Sequence, residues 1–512
     1  MSSTESHKET LSGSKPNILL VVMDDMGYSD LGCYGSEIDT PNINKLAEDG
    51  LRFSQIYNTG RCWPTRSSIL TGYYAPQVCM DPPNPVYRPS WQRLIPQFLK
   101  SSNYRSYHSG KWHVANTKDP EKEGGFDTSF GYDIEQYNHF FDFDGETKFS
   151  STGITDHALK CLEDHEANHS DKPFFHYLAY TAPHFPVQAE QEDIDKYKDK
   201  YNEGWDIMRQ RRHKRQLEIG LVNCNLSKRE DDVPAPHYLA QKEAWDANYG
   251  PGEIEYAVAW DSLTEEQKTF QATKMAIHAA MIDRTDRELG RILDHLKKTN
   301  TYEDTLILFL SDNGASAELM IRGGGHDPDA RPGSVDSHLC LGPGWSTCCN
   351  TPFRRHKIWV HEGGVSTALV AHWPKGITAK GELRHDMGHV IDFLPTFLDL
   401  AGVSENDIER ANAPRLPGKS LVPSFIKNNS VKRDHIFFHH EGNRALRAGD
   451  WKLVNESNVN RGQNDNPWAL YDLSKDRCEM VDLSKDNPQK FQEMQSHWQV
   501  FEDEYRTARE TN

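Results

Sequence analysis

Short runs of apolar residues alternate along most of the chain with longer stretches in which apolar residues recur at helical spacing. The apolar runs occupy 17–23, 174–180, 305–310 and 366–371, and the less apolar segment 104–109 predicts a further strand. Runs that are apolar on both faces are typical of strands buried in a parallel sheet. The helical spacing is clearest over 265–298. The alternation predicts an α/β fold, with a large, mostly parallel sheet sandwiched by helices.

A different pattern begins near residue 430. Segments 436–440, 445–447 and 451–454 predict short antiparallel strands joined by tight turns, and a charged helix is predicted over 488–506. We therefore expect three parts: a disordered N-terminal segment over 1–15, a main α/β domain over 16–430, and a C-terminal antiparallel-sheet plus helix subdomain over 431–512.

Two stretches of the main domain are polar and weakly patterned. Residues 187–260 predict an insertion that carries a basic helix over 208–215, and we expect its positive side chains to face solvent. Residues 323–350 are rich in Gly, Pro and Ser, and they predict a long loop of the kind that is usually functional or mobile.

The composition fits a soluble globular protein, since 36% of the 512 residues are hydrophobic and 26% are charged. No apolar run approaches the roughly eighteen residues of a membrane helix, so no membrane span is expected. The formal net charge of −18 argues against general nucleic-acid binding. Nine scattered cysteines without Cys-x-x-Cys spacing predict neither a disulfide framework nor a zinc site.

The first fifteen residues are rich in Ser, Thr, Lys and Glu and lack the apolar core of a secretion signal. We therefore expect no signal peptide in this chain. The compartment stays open: the protein would be exported if a signal had been trimmed, and cytoplasmic otherwise.

Polar residues follow several of the predicted strands at the point where each strand ends. They are Asp24 and Asp25, Lys111 and His113, His184, and Asp312 and Asn313. In an open α/β sheet, ligands bind at the carboxyl ends of the strands. The sequence therefore predicts that these side chains meet at one edge of the sheet.

Four of these residues, Asp24, Asp25, Asp312 and Asn313, offer only oxygen ligands of the kind that Ca²⁺ or Mg²⁺ prefers over Zn²⁺. Each pair alone would also suit a solvent-exposed turn, because Asp-Asp and Asp-Asn-Gly are common turn sequences. Their joint position after buried strands favours a metal site.

The run Cys62-Trp63-Pro64-Thr65-Arg66 predicts a helix that begins near Pro64 and ends at Gly72. Cys62 would then lie at a helix N-terminus, where an anion is favoured, and Arg66 could hold an oxyanion one turn later. Cys62 is a candidate nucleophile on this pattern. The alternative is a buried structural cysteine beside a salt-bridged arginine.

The extended run 62–72 resembles the signature of the type I sulfatases, an arylsulfatase-type branch of the alkaline phosphatase superfamily, in which this cysteine is converted to formylglycine. Further resemblances are Gly110-Lys111-Trp112-His113, Pro183-His184, and Lys357 ahead of Glu362-Gly363-Gly364. The resemblance spans about 15–504, and the longer insertions look most like bacterial members. It implies an alkaline phosphatase-like fold, formylglycine at position 62, Ca²⁺ or alternatively Mg²⁺ at the oxygen ligands, and a formylglycine-generating enzyme as maturation partner.

The resemblance also implies roles for the remaining residues. Asp312 would be a metal ligand and proton acceptor, and Arg66 would hold the formylglycine hydrate. Lys111, Lys357 and His184 would bind the sulfate oxygens, with His184 or Lys357 protonating the leaving alcohol. His113 would take the proton that releases sulfate and restores the aldehyde.

Three other functions are compatible with parts of the pattern. A related phosphate or phosphonate ester hydrolase would share the sheet and the metal ligands. A cysteine phosphatase using the thiol itself would need a longer loop between its cysteine and arginine than the four residues from Cys62 to Arg66. A non-catalytic binder of sulfated glycans would have no need of the proton-transfer groups.

We expect the substrate to be a sulfated sugar or polysaccharide fragment rather than a simple aryl or alkyl ester, by analogy with bacterial relatives. Aromatic and basic residues are candidates for its pocket, although each also has a packing or surface alternative. They are Trp91, Arg93, Tyr137, His139, His326, Trp345, Arg354, His440 and Arg444.

Overall fold

The computed structural model describes residues 15–81, 88–132, 138–143, 145–236, 248–321, 326–404, 413–457 and 467–510. Apart from Lys15, the segment predicted to be disordered lies outside these ranges. No helix in the described ranges is both long enough and apolar enough to cross a membrane.

The strands of the described part are β1 (Asn17–Met23), β2 (Leu51–Tyr57), β3 (Arg105–Lys111), β4 (Thr128–Tyr132), β5 (Phe140–Phe143), β6 (Glu146–Phe149), β7 (Phe174–Ala179), β8 (Thr305–Ser311), β9 (Ser366–His372), β10 (Glu382–Arg384), β11 (Gly388–His389), β12 (Ile436–His440), β13 (Asn443–Ala448), β14 (Trp451–Asn455) and β15 (Trp468–Asp472). The α-helices there are α1 (Pro41–Glu48), α2 (Cys62–Thr71), α3 (Ile95–Leu99), α4 (Ser150–Asn168), α5 (Gln191–Asp195), α6 (Gly204–Glu218), α7 (Glu265–Lys298), α8 (Pro343–Cys349), α9 (Glu362–Val365), α10 (Phe393–Ala401), α11 (Val422–Ile426) and α12 (Pro488–Glu510).

The main sheet has the strand order β10-β2-β9-β8-β1-β7-β3-β4, with β11 also paired to β2. Its neighbours are parallel except at β9, which runs antiparallel to both β2 and β8. The predicted large, mostly parallel sheet is therefore confirmed. Because β9 is reversed, its amino end lies at the edge where the other strands have their carboxyl ends.

Both faces of this sheet are buried. Along β1, Leu19, Val21 and Met23 belong to the apolar cluster on one face. Ile18, Leu20 and Val22 belong to the cluster on the other. Successive side chains of a strand point to opposite faces, so a run that is apolar at every position is required where helices cover both sides.

The carboxyl ends of four neighbouring strands are in register. Leu310 of β8 pairs with Val22 of β1, Val22 pairs with Ala179 of β7, and Ala179 pairs with Gly110 of β3. The polar residues that follow these strands therefore start from one row across the sheet. This row places the residues predicted from the strand ends side by side.

The C-terminal part forms the predicted antiparallel sheet, in the order β12-β13-β14-β15, with the helix α12 beside it. Its apolar residues do not form a separate core. Ile436 and Leu453 share one cluster with Tyr57 and Val365 of the main sheet region. The small sheet is thus packed against the edge of the main sheet at which the polar residues meet.

Two predictions about the polar stretches were wrong in part. The basic helix α6 does not present all its charges to solvent, because Arg212 is buried and binds Asp30 at 2.7 Å and Glu37 at 2.8 Å. These acidic partners, distant in sequence, provide the compensation that a buried guanidinium requires. The stretch predicted as one long loop contains the buried helix α8.

Candidate active site

Cys62 is the first residue of α2 and follows the carboxyl end of β2. The helix begins two residues before Pro64, earlier than predicted, and ends as predicted at Gly72, whose φ of 73° is left-handed. Cys62 is 3% exposed. Burial raises the pKa of its thiol more than Lys111 and Lys357 lower it. A cysteine with a raised pKa is a poor thiolate nucleophile, which weighs against direct thiol chemistry.

Arg66 lies fully buried one turn along the same helix and grips Asp312. Its Nε and Nη2 atoms are each 2.8 Å from Asp312 Oδ2. Nη1 donates to the Lys111 carbonyl at 3.3 Å and to the Tyr177 hydroxyl at 3.4 Å. The guanidinium thus connects the helix to the ends of β8, β3 and β7. A planar fork suits this role, which a point charge could not fill.

The four predicted oxygen-ligand residues lie together. Asn313 Nδ2 donates to Asp25 Oδ1 at 2.7 Å, and the Asp25 amide donates to Asp312 Oδ1 at 3.3 Å. Asp24 Oδ1 and Asn313 Oδ1 are buried and accept no hydrogen bond from the described residues. Orphaned buried acceptors of this kind are costly unless another group binds them. Their oxygen chemistry fits a hard divalent cation.

The charges at this cluster are unbalanced. Burial is the main cause that raises the pKa of Asp312 to about 7. Arg66 opposes this increase, and the negative charge of Asp24 contributes to it. Burial also acts to raise the pKa of Asp24, but Lys111, His184, Arg66 and Lys357 together lower it. Carboxylates held this closely compete for positive charge. A bound cation would relieve that competition.

Two lysines and a histidine surround the carboxylates. Lys111 Nζ donates to Asp24 Oδ2 at 2.5 Å, and Lys357 Nζ donates to Asp25 Oδ2 at 2.9 Å. Lys357 Nζ also lies 3.3 Å from His184 Nε2. Since the other ring nitrogen of His184 lies 2.7 Å from the Phe185 carbonyl, the proton is assigned to Nδ1, and Nε2 can accept from the lysine.

The ionisation of these groups follows from burial and charge. Burial lowers the pKa of His184 to about 4, despite the opposing effect of Asp24 and Asp25. Lys357 is buried as well, but Asp25 and Glu318 outweigh this and hold its pKa well above the usual range. His184 is therefore neutral and Lys357 protonated at pH 7.

His113 occupies a strained backbone position, with φ at +45°. Burial is the main cause that lowers its pKa well below the usual value, followed by the charges of Lys111 and Arg66. Its Nδ1 atom is buried and has no hydrogen-bond partner among the described residues. A neutral imidazole with a free nitrogen can accept a proton from a group placed beside it.

Several residues of the site were not predicted. Glu318 bridges Lys357, at 3.1 Å, and Arg61, at 3.2 Å. Tyr177 contacts Arg66, and Asp81 Oδ2 lies 2.9 Å from Nδ1 of His440. None of these residues belongs to a motif; each acts through a partner that is distant in sequence. No local pattern in the sequence therefore identifies them as site residues.

The loop that carries Lys357 is fixed from two sides. Its Lys357 amide donates to the Ala315 carbonyl at 3.1 Å, and the next amide donates to the Gly60 carbonyl at 2.7 Å. Gly314 lies so close to the backbone of this segment that a Cβ atom on it would be 1.9 Å from the Gly363 carbonyl oxygen. The turn after β8 and the segment before β9 thus require glycines where their backbones meet.

A buried charge network supports the same loop from the C-terminal sheet. Lys452 Nζ is 2.8 Å from a carboxylate oxygen of both Glu362 and Glu479. Arg477 contacts Glu362 at 3.1 Å, and the Tyr57 hydroxyl donates to Glu362 at 2.9 Å. The segment after Lys357 is therefore anchored by Tyr57 of β2 and by residues of the C-terminal part that lie at least ninety positions further along the chain.

Two of the nine pocket candidates lie at the site. His440 packs edge-on against Trp63, with ring centroids 5.4 Å apart. His139 holds the turn that carries His184, since its Nε2 atom lies 2.9 Å from the His184 carbonyl oxygen. Trp63 itself also lies 5.8 Å from the His113 ring.

The other candidates have packing or surface roles, or fall outside the described residues. Trp91 and Trp345 are core residues. Arg354 bonds to Glu230, and Arg444 lies over Trp498. Arg93 bonds to backbone carbonyls close in sequence, His326 stacks on Tyr249, and Tyr137 lies outside the described ranges.

Comparison with known proteins decides the family of this site. The family model described as Sulfatase matches residues 16–403, which is most of the chain. The chain belongs to the sulfatase family. A second model, described as the C-terminal region of N-sulphoglucosamine sulphohydrolase, matches residues 354–502 of this sulfatase. The resemblance found in the sequence is therefore confirmed.

Relatives of this sulfatase cover most of its length. An uncharacterized sulfatase of Schizosaccharomyces pombe is 30% identical, over 96% of this chain and 94% of its own. The arylsulfatase of Klebsiella aerogenes is 29% identical, over 79% of this chain and 90% of its own. The solved structure of Ps i-CgsB in complex with k-i-k-neocarrahexaose superposes with a TM-score of 0.64 at 26% identity, over 95% and 93% of the two chains.

Proposed function

We propose that this sulfatase hydrolyses the sulfate ester of a sugar, with Cys62 converted to formylglycine and a divalent cation, Ca²⁺ or Mg²⁺, bound by Asp24, Asp25, Asp312 and Asn313. One observation carries the proposal. Cys62, at the start of α2, is surrounded by two buried lysines and by an arginine–carboxylate pair, all at one edge of the sheet. This arrangement can bind a small tetrahedral anion and neutralise charge on it.

Maturation would change the chain in two ways: Cys62 would be oxidised to formylglycine, and a divalent cation would bind. A formylglycine hydrate would supply a hydroxyl nucleophile whose sulfate ester can break down again, and a cation held by Asp24, Asp25, Asp312 and Asn313 would supply positive charge to the site. The orphaned oxygens of Asp24 and Asn313 support the cation. A formylglycine-generating enzyme is the partner that the modification requires.

The residues of the chain would bind and orient the sulfate group. Lys111 and Lys357 each contribute an ammonium group that already faces a carboxylate, so both are positioned before substrate enters. Developing negative charge on the sulfate oxygens would be stabilised by these two groups. Arg66 would keep Asp312 oriented towards position 62.

Proton transfer would involve two groups of side chains. The leaving alkoxide is basic enough to take a proton from Lys357, either directly or through His184, whose Nε2 atom is 3.3 Å from the lysine. The Nδ1 atom of His113, which has no hydrogen-bond partner among the described residues, would accept the proton whose loss expels sulfate. Burial keeps both histidines neutral, which suits these roles.

A sugar substrate is supported by the solved relative at 26% identity, whose structure contains k-i-k-neocarrahexaose. The Klebsiella arylsulfatase favours a second candidate, an aryl sulfate ester. Activity on phosphate or phosphonate esters is the further alternative within the superfamily, since it would need the same anion-binding lysines.

The test combines mass spectrometry with product release. Protein made together with a formylglycine-generating enzyme should carry the formylglycine mass at residue 62 and release sulfate, rather than phosphate, from matched esters. Cys62→Ala and Cys62→Ser should stay folded and lose turnover. Cys33→Ala, at the one cysteine of the described chain that is not buried, is the matched control and should keep its activity. Near-parental turnover by Cys62→Ala would refute the proposal.

A further inference from the structure

The tight turn between β12 and β13 contains a glutamate in an unfavourable backbone conformation. His440 pairs with Asn443 across the hairpin, so Glu441 and Gly442 form a two-residue loop. Their φ angles are +47° and +80°. Loops with two positive φ angles strongly prefer Asn-Gly or Asp-Gly, because other side chains are strained there. Strain of this kind in a native structure points to a functional side chain.

The Glu441 carboxylate binds the residue that immediately precedes helix α2, which begins at Cys62. Both of its oxygens are 3.1 Å from Nη1 of Arg61, the residue that precedes Cys62. Arg61 also binds Glu318, which binds Lys357. A chain of alternating charges thus connects the turn to a lysine of the active site. Glu441 is the exposed member, with 44% of its side chain accessible against 9% for Arg61.

Trp63 forms an aromatic surface between this turn and the active site. Its ring lies 5.8 Å from His113 on one side and 5.4 Å from His440 on the other. The Arg61 guanidinium lies over the ring at 4.6 Å. His440 is fixed by the buried Asp81. The indole is only partly buried, although it is the neighbour of a fully buried cysteine.

An aromatic ring beside an exposed carboxylate is suited to a sugar. The C–H face of a pyranose packs against an aromatic side chain, and a carboxylate has lone pairs that accept from ring hydroxyl groups. The exposed charge at this cluster is negative, because Arg61 is shielded and shared between two glutamates. A second anionic group on the same ring would be repelled at short range.

We propose that Trp63 and Glu441, with the buried His440 packed against the indole, form a leaving-group subsite that selects a pyranose ring carrying no charge besides its sulfate. The inference rests on the proposed sulfate ester hydrolysis and names its substrate class. Glu441 would accept hydrogen bonds from hydroxyl groups, and Trp63 would pack against the ring. A uronate, or a ring with a second sulfate, would be excluded.

The principal test replaces Glu441 and compares two esters. Glu441→Gln and Glu441→Asn should lower kcat/KM for galactose 6-sulfate about 10- to 100-fold more than for 4-nitrophenyl sulfate, because each removes a charge-assisted hydrogen bond that the aryl ester does not make. Glu441→Asn should also have a melting temperature at or above that of the parent, since asparagine relieves the backbone strain. A misfolded variant cannot give that combination.

Glu382→Gln is the matched control. Glu382 is also an exposed carboxylate, 57% accessible, paired with a buried arginine, Arg384. It pairs with Leu51 at the amino end of β2, away from the active site. Its removal should leave the ratio of the two kcat/KM values unchanged. For the aromatic surface, Trp63→Phe should retain most of the preference for the sugar ester and Trp63→Ser should lose it.

A binding measurement separates this inference from the proposed reaction. In a Cys62→Ala background, calorimetry should detect galactose 6-sulfate, with weaker binding after Glu441→Gln and weaker binding of galacturonate 2-sulfate. If the parent releases no sulfate but the binding differences hold, the reaction is wrong and the subsite stands. Equal losses on both esters, equal binding of neutral and uronate sugars, or no sugar binding at all would overturn the subsite.

Discussion

Lys452→Met removes a buried ammonium that holds two buried carboxylates together. The side chains of Lys452, Glu362 and Glu479 are all fully shielded from solvent, and the lysine is 2.8 Å from each glutamate. Burial acts against ionisation of Glu362, but Lys452, Arg477 and Arg447 outweigh it and lower its pKa to about 2. Methionine preserves the packing of the aliphatic stem while deleting the charge.

The expected loss follows from the cost of an unpaired buried charge. Removing one partner of a buried ion pair destabilises a protein by about 3–5 kcal/mol. If the chain of 512 residues melts as one unit, an unfolding entropy of ~2.1 cal/mol/K per residue gives about 1 kcal/mol for each degree. The melting temperature should therefore fall by about 3–5 °C, and by more if the C-terminal sheet melts first.

The loss should depend on pH. Burial, followed by repulsion from Glu362, already raises the pKa of Glu479 against the opposing charge of Lys452. Without Lys452 the pKa of Glu479 should rise further above its unfolded value, whereas Arg477 and Arg447 still act to lower the pKa of Glu362. The folded state then holds protons that the unfolded state releases, so stability decreases as pH rises through this range. The loss of stability caused by Lys452→Met should therefore be smaller at pH 5 than at pH 8, as measured by scanning calorimetry.

Two variants complete the experiment. Lys475→Met removes an exposed lysine, 82% accessible, that is 2.8 Å from Asp472, and should leave stability nearly unchanged because exposed ion pairs contribute little. Adding Glu479→Gln to Lys452→Met should recover part of the loss, since one of the two unpaired carboxylates is gone. A deficit equal to that of Lys475→Met, or one that is the same at pH 5 and pH 8, would refute the reasoning.

Three further outcomes are expected at the active site. Ca²⁺ or Mg²⁺ at ~100 times its Kd should stabilise chelator-treated protein by about 3 kcal/mol in thermal melts. Asp24→Asn should abolish that gain. An equal gain in the variant would show that the cation does not bind at Asp24. Gly314→Ala should reduce kcat about 100-fold, because the added methyl group would displace the loop that carries Lys357. Gly402→Ala, which has open space around it, should affect stability alone. Equal kcat values in the two variants would contradict the close approach of Gly314 to Gly363. Arg66→Lys should lower kcat at least about 100-fold, since a point charge cannot replace the fork on Asp312; turnover near the parental value would show that the fork is dispensable.

Much of the sheet was predictable because burial on both faces leaves a strong pattern. The run that became β1 matched its observed limits, and so did helix α7. Strand β2 was missed, since Arg52, Ser54 and Gln55 interrupt its apolar pattern. The reversed direction of β9 could not be predicted either, because a strand that is apolar at every position carries no information about its orientation.

The active site was predictable as far as it follows from strand ends. Asp24, His184 and Asp312 each come shortly after a parallel strand, and adjacent strands bring such residues together. Glu318 and Tyr177 act through contacts that exist only in the folded chain, so no local pattern marked them. The burial of the basic helix was mispredicted for the same reason. The functional roles assigned to the site residues stay predictions.

The burial of Cys62 sets a time limit on any enzyme that modifies it. In the folded chain its side chain is 3% exposed, and the charges that act on it include Asp312 and Lys357, which are made roughly 250 and 295 residues later. At a synthesis rate of roughly 5–20 residues per second, the ribosome needs about 15–60 s to travel from Cys62 to Lys357. During that interval the motif is an accessible peptide. Any such modification would therefore compete with folding of the nascent chain, and slower translation beyond residue 62 should raise the converted fraction.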